Sequence, residues 1–153
     1  LYHYFPQKAD LAVAVIDGNS AAVFDLLKDF AERDGRGRVL GYYDAMVAHQ
    51  TEFARQNGEW PGCPFGKMVA TGGEEPALRD AVERWLEDMT GYLQEALREI
   101  HADLRPARLR ALARQLLMTW QGALLLSQAT NDSQPLRHGR SITARLLEET
   151  PGA

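Results

Sequence analysis

Apolar residues return every three or four positions along this chain, and no stretch alternates over the length of a strand, so the spacing predicts an all-α fold. A first long helix is expected from about Lys8 to Ala31, with Leu11, Val15, Ala22, Leu26, Leu27 and Phe30 on one side. The two glycines of "ERDGRGR" should end it. A second helix, about Arg38 to Gln56, repeats the spacing through Leu40, Tyr43, Val47, Gln50 and Phe53 or Ala54. "NGEWPGCPFG" then holds too much Gly and Pro for regular structure until a short helix begins near Pro64, to stop at Gly72 and Gly73.

The next helix has the clearest pattern, running through Leu78, Val82, Trp85, Leu86, Met89, Leu93, Leu97, Ile100 and Leu104. Glu74, Glu75 and Asp80 lie at its start, where backbone N–H groups favour negative charge. Pro106 opens another helix that should reach about Thr130. Its segment "LLMTWQGALLL", Leu116 to Leu126, is apolar almost all round and must be buried on both faces. In a chain this short, the simplest second partner is another copy, giving a homodimer. The small side chains of Thr119, Ala123 and Ser127, four apart, would let a neighbouring helix approach closely. An ordinary central helix of a monomeric bundle is the other reading. A last helix, near Gln134 to Glu149, offers Leu136, Ile142, Thr143, Leu146 and Leu147, of which Ile142 and Leu146 are assigned to the dimer interface.

A length of 153 residues with 45% hydrophobic content fits one domain with a sizeable core. No apolar run approaches the roughly 20 residues of a membrane span, so a soluble, cytoplasmic chain is expected. A net charge of −4 means that any DNA contact must be local. Cys63 is the single cysteine and the four histidines lie far apart, so neither a disulfide nor a metal site is expected, and no cofactor. Catalysis finds no support either. No Glu stands three residues before a His as a di-iron bundle requires, "HQTE" is a lone pair, and "GCPFGK" lacks the length and final hydroxyl of a phosphate loop.

The opening "LYHYFPQKADL" resembles the end of the helix-turn-helix in TetR-family transcriptional regulators, whose pattern L-Y-x-[HY]-F-x-[ST]-K-x-x-L it matches at Leu1, Tyr2, Tyr4, Phe5, Lys8 and Leu11. Gln7 departs from it, removing the usual hydroxyl cap. "GCPFGKMVAT", Gly62 to Thr71, and "QGALLLSQATND", Gln121 to Asp132, are similar to segments of an LmrA/YxaF-like subgroup. The resemblance implies two further helices and most of a third ahead of Leu1. It also implies a division into residues 1–5, the end of a DNA-recognition helix; 6–34, a connecting helix; and 35–153, a ligand-binding and dimerisation domain. Tyr2, His3, Tyr4 and Lys8 have the hydroxyl, imidazole and ammonium groups that hold phosphate oxygens beside a recognition helix, and Lys8 adds a helix N-terminus.

The implied function is a DNA-binding repressor released from its double-stranded operator by a small-molecule effector. An all-α dimeric ligand-binding or interaction domain with no DNA role is the alternative. Aromatic and methionine side chains in the middle of the body are the candidate pocket: Phe53, Trp60, Phe65, Met68, Trp85, Met89, Tyr92 and Trp120. His49 and Gln121, polar groups on apolar segments, are the candidates to orient an apolar or aromatic ligand. Each could equally be core. Cys63, just before Pro64, could have its thiol pKa lowered by the following helix N-terminus and become redox-sensitive, against the reading of a structural cysteine.

Overall fold

The computed structural model describes residues 8–72 and 75–148, and every regular element among them is helical. The elements are α1 (Lys8–Lys28), α2 (Gly35–Asn57), α3 (Pro64–Gly72), α4 (Pro76–Ile100), α5 (Pro106–Thr130) and α6 (Gln134–Glu148). Proline occupies the first turn of α4 and α5, where its missing N–H has no partner to lose. Asn131 takes the left-handed conformation at φ 51° and its N–H bonds back to Ser127, which stops α5. Gly58 at φ 77° ends α2 in the same way.

Three boundaries differ from the expected ones, the first being that α1 ends at Lys28 and passes into turns where the helix was expected to reach Ala31. α2 starts at Gly35, not Arg38, because Asp34 caps it, its Oδ1 accepting from the N–H of Gly37 at 2.6 Å. The glycines therefore open a helix. Gly35 also lets that end meet α4, since a Cβ there would lie 2.1 Å from the carbonyl oxygen of Ala96. α4 ends at Ile100, where His101 leaves helical geometry at φ −129°, so Leu104 packs from a turn.

α4 is the central helix and packs against α1, α2, α3 and α5, while α6 closes over α2 and α5. Its buried stripe, Leu78, Val82, Trp85, Met89, Leu93 and Leu97, meets Leu112, Leu116 and Trp120 of α5 and Val39 and Tyr43 of α2. Burying each such large side chain contributes about 1.5–3 kcal/mol. Trp120 anchors the centre: its ring lies 5.4 Å from Tyr42 and 5.7 Å from Tyr43, and its Nε1 donates to Thr143 Oγ1 at 2.9 Å. No helix of the described residues is long and apolar enough to cross a membrane.

α5 is covered on one face only. Leu116, Leu117, Ala123, Leu124 and Ser127 are buried within the chain, whereas Met118, Leu125 and Leu126 are 65%, 64% and 53% exposed. The expected placement of Ala123 and Ser127 at a contact with another copy is corrected accordingly. Ala123 lies under Gly139 of α6, so the small side chains bring two helices of the same chain together. Thr119, Ile142 and Leu146 are half-buried.

Candidate functional site

Five elements enclose a cavity of about 710 Å³, within the range of small-molecule pockets. Each helix presents one stripe. α1 supplies Asn19, Ala22, Val23 and Leu26, spaced three, one and three apart, so a single face of it forms a wall. α2 supplies Tyr42, Ala45, Met46, His49, Gln50 and Phe53 by the same periodicity, and α5 adds Leu117, Trp120, Gln121 and Leu124. Trp85 and Met89 come from α4, and residues 61–67 close the remaining side.

The 58–63 loop is held in place by Gln50 of α2 and by Asn131, the residue that ends α5. Asn131 accepts from the N–H of Trp60 at 3.2 Å and donates to the carbonyl of Gly58 at 3.3 Å. Buried Gln50 clasps Gly62 on both sides, donating to its carbonyl at 3.1 Å and accepting from its N–H at 3.2 Å. Gly62 sits at φ 68°, and a Cβ on it would meet Gln128 at 2.3 Å. Gln50 thus shapes the wall with its amide bonded at both ends to the loop backbone. Its position on the apolar stripe of α2 was the only sequence signal for this role.

Seven of the sequence-expected pocket residues line the cavity: His49, Phe53, Phe65, Trp85, Met89, Trp120 and Gln121. Phe65 stacks on Trp85 with ring centroids 4.0 Å apart, forming a flat aromatic wall. The indole N–H of Trp85 has no hydrogen-bond partner among the described residues. Trp60, Met68 and Tyr92 lie elsewhere. Trp60 packs with Leu124 and Leu136 beneath α5 and α6, Met68 packs against the main core, and Tyr92 lies one turn beyond Met89 on α4. Tyr42, Met46 and Cys63 were not singled out for the pocket yet contribute to it.

Cys63 precedes α3, and the N–H groups of Phe65 and Gly66 and the Gln121 amide act on its sulfur in the direction expected of a helix N-terminus. Burial outweighs them and pushes the thiol pKa up. The expectation of a lowered pKa is corrected by that balance. Burial likewise raises Tyr42, with nearby Cys63 and Tyr92 adding to the rise. Among the described residues no group of three or more His, Cys, Asp or Glu could hold a metal. Tyr2, His3 and Tyr4 lie outside the described residues, and Lys8 enters only as the first residue of α1.

Residues 42–141 match the family model described as transcriptional regulator LmrA/YxaF-like, C-terminal domain. The chain is 29% identical to the transcriptional regulator AcuR of Cereibacter sphaeroides, over 96% of this chain and 71% of that protein. It is 26% identical to the HTH-type transcriptional repressor NemR of Escherichia coli, over 95% of this chain and 75% of that one. The crystal structure of reduced E. coli NemR superposes with a TM-score of 0.76, covering 95% of this chain and 78% of NemR. A TetR regulator from Legionella pneumophila, 20% identical, shares the fold at a TM-score of 0.80, over 94% of this chain and 76% of its own. These relatives are regulators and not enzymes. With the model covering well over half its length, the chain belongs to the TetR family of transcriptional regulators, its residues 42–141 forming an LmrA/YxaF-like C-terminal domain.

Proposed function

We propose that this chain is the effector-binding and dimerisation part of a cytoplasmic, ligand-released repressor that senses an apolar or aromatic small molecule. The observation that carries the reading is the wall that α1 contributes to the cavity. α1 begins at Lys8, two residues after the segment 1–5 that resembles the end of a recognition helix. A ligand seated against Asn19, Val23 and Leu26 has to displace or lock α1. It shifts the DNA equilibrium only through its different affinity for the two positions of that helix. Half-sites lie about 34–36 Å apart, so moving the two reading heads uncouples the dimer from its operator. Tyr2, His3, Tyr4 and Lys8 are the proposed phosphate contacts.

The dimer contact is assigned to the uncovered apolar face of α5, with Met118, Leu125 and Leu126, flanked by Thr119 and by Ile142 and Leu146 of α6. Monomeric proteins rarely leave such a contiguous apolar patch open to water. The residues 1–5, 6–34 and 35–153 keep the roles of recognition-helix end, connecting helix and effector domain.

Selection of bound duplexes from a random DNA library, followed by ligand titration of the enriched duplex, tests the reading. Salt-dependent binding that weakens as a cavity ligand saturates is the expected result. A cavity ligand that raises the melting temperature while leaving duplex affinity unchanged would overturn the release mechanism. Failure to enrich any duplex would favour the domain without a DNA role.

A further inference from the structure

We infer that the Tyr42 hydroxyl is the hydrogen-bond donor that sets the cavity's specificity, and that the effector is an uncharged aromatic compound with an acceptor of the carbonyl kind seated against it. The inference deepens the reading of the cavity as the effector site and rests on that reading. Tyr42 lines the cavity from α2 and is only 6% exposed, yet its hydroxyl makes no hydrogen bond among the described residues. Buried polar groups in native proteins nearly always have a partner. The hydroxyl of Tyr92 and the indole N–H of Trp85 lack one too, but both are sealed off. The Tyr42 oxygen is not sealed, so the little surface it keeps opens on the cavity that its side chain lines.

Of the other polar side chains in the lining, apart from the exposed His49 and Lys67, each is already engaged. Gln50 is closed on Gly62, the Asn19 amide donates to the Val15 carbonyl at 2.9 Å, and the Gln121 side chain bonds the Cys63 sulfur. The Tyr42 ring is fixed by packing, its centroid 5.4 Å from that of Trp120, which is itself tied to Thr143, so its hydroxyl is preorganised.

A phenol can donate or accept, and it donates the better because its ring draws on the oxygen lone pairs. Burial raises the pKa of Tyr42 and so keeps the proton in place. Cys63 and Tyr92, whose fields reach that oxygen, are kept protonated by burial as well, and among the described residues no Asp or Glu lines the cavity. A charged ligand group beside Tyr42 would lose water and find no counter-charge. A hydrocarbon would take water from the hydroxyl and return no acceptor. A neutral acceptor avoids both costs, and the Phe65–Trp85 stack, with centroids 4.0 Å apart, offers its aromatic body a flat wall.

Equilibrium dialysis with a matched pair of probes tests the donor. 2-Acetylnaphthalene and 2-isopropenylnaphthalene share one outline and differ by C=O against C=CH2. Both are measured on the chain, on Tyr42→Phe, and on Tyr43→Phe, whose hydroxyl is spent on the Leu136 carbonyl outside the cavity lining. Ala45→Phe and Val23→Phe, which fill the cavity from α2 and from α1, show where the probes bind, and circular dichroism melts check that each variant is folded. The ratio of ketone to alkene affinity should fall about tenfold in Tyr42→Phe, as for one buried hydrogen bond, and hold in Tyr43→Phe. Either filling variant should weaken both probes. A ratio unchanged in Tyr42→Phe, or lowered as much in Tyr43→Phe, would overturn the donor role of Tyr42 while leaving the effector cavity standing. Binding of both probes that ignores the filling variants, or no binding of either, would remove the cavity as the effector site, and the role of Tyr42 with it.

Discussion

Replacing Gly139 with alanine inserts one methyl group into a close contact of α6 with Ala123 of α5 and Tyr43 of α2. Its Cβ would lie 2.3 Å from the hydroxyl oxygen of Tyr43 and 2.9 Å from the Cβ of Ala123. Neither neighbour can yield freely. Tyr43 is fully buried and its hydroxyl donates to the carbonyl of Leu136 at 2.8 Å, while Ala123 is part of the α5 backbone wall. Overpacking costs about 1–3 kcal/mol, and loss of the tyrosine hydrogen bond about 1 kcal/mol more. The better helix propensity of alanine returns up to about 1 kcal/mol. The net expectation is a loss of about 2 kcal/mol, or a fall in Tm of about 4–8 °C for a domain of this size. Thermal unfolding followed by circular dichroism measures it. Gly91→Ala provides the contrast, because a Cβ there meets nothing within 4 Å and should leave stability unchanged or raised. Tyr43→Phe removes the obstructing oxygen, so Gly139→Ala should cost about 1 kcal/mol less in that background. If Gly139→Ala melts as late as Gly91→Ala, propensity governs at this position and the tight α5–α6 contact plays no part in stability.

The same helix pair supplies a second test. Thr143 Oγ1 accepts from Trp120 and donates to the carbonyl of Gly139 at 2.8 Å, so Thr143→Val strands a buried indole N–H and should cost about 1–3 kcal/mol in urea unfolding. A variant as stable as the parent would show that the indole finds another acceptor. Cys63, with its pKa raised by burial, should react with iodoacetamide near neutral pH more slowly in the native chain than in urea, and faster native alkylation would contradict the burial argument. Tyr42 is raised by burial and Tyr43 is pushed up to about 12, so above pH 10 the unfolded chain loses protons that the folded chain keeps. Stability should therefore fall through that range, and Tyr42→Phe should flatten the fall in urea midpoints. Leu125→Glu places a charge on the uncovered face of α5 and should shift the chain to monomer in sedimentation velocity without lowering its helix content; a persistent dimer would move the interface elsewhere.

Elements whose ends carry their own chemical stop could be read in advance. Pro64, Pro106 and the Asn131 turn mark boundaries by local rules, and α3, α5 and the start of α6 lie where those rules put them. Gly35 and Gly37 misled, because a glycine that ends one helix and a glycine that lets the next pack closely look alike, and only the Asp34 cap separates the cases. The face of α5 was ambiguous for a related reason. A segment apolar all round has no preferred inward side, so its periodicity could not say that Ala123 and Ser127 turn inward while Met118 and Leu125 turn outward. For the cavity, residue type marked Phe65, Trp85, Met89 and Trp120, since large flexible or flat groups suit irregular spaces. Trp60 has the same chemistry and packs under α6, a distinction set by the loop's bonds to Asn131 and by no pattern local to Trp60.

α5 carries Trp120 and Leu124 on the cavity side and Leu126 on its uncovered side, so one helix is all that separates the cavity from that uncovered face. A helix with its side chains is about 10–12 Å across, which in a dimer joined over that face leaves the two cavities only two helix widths apart. A shift of α5 on filling one cavity is then transmitted directly to its counterpart in the other copy. Effector titrations of such a pair should depart from independent sites, with a Hill coefficient between one and the limit of two set by the number of cavities.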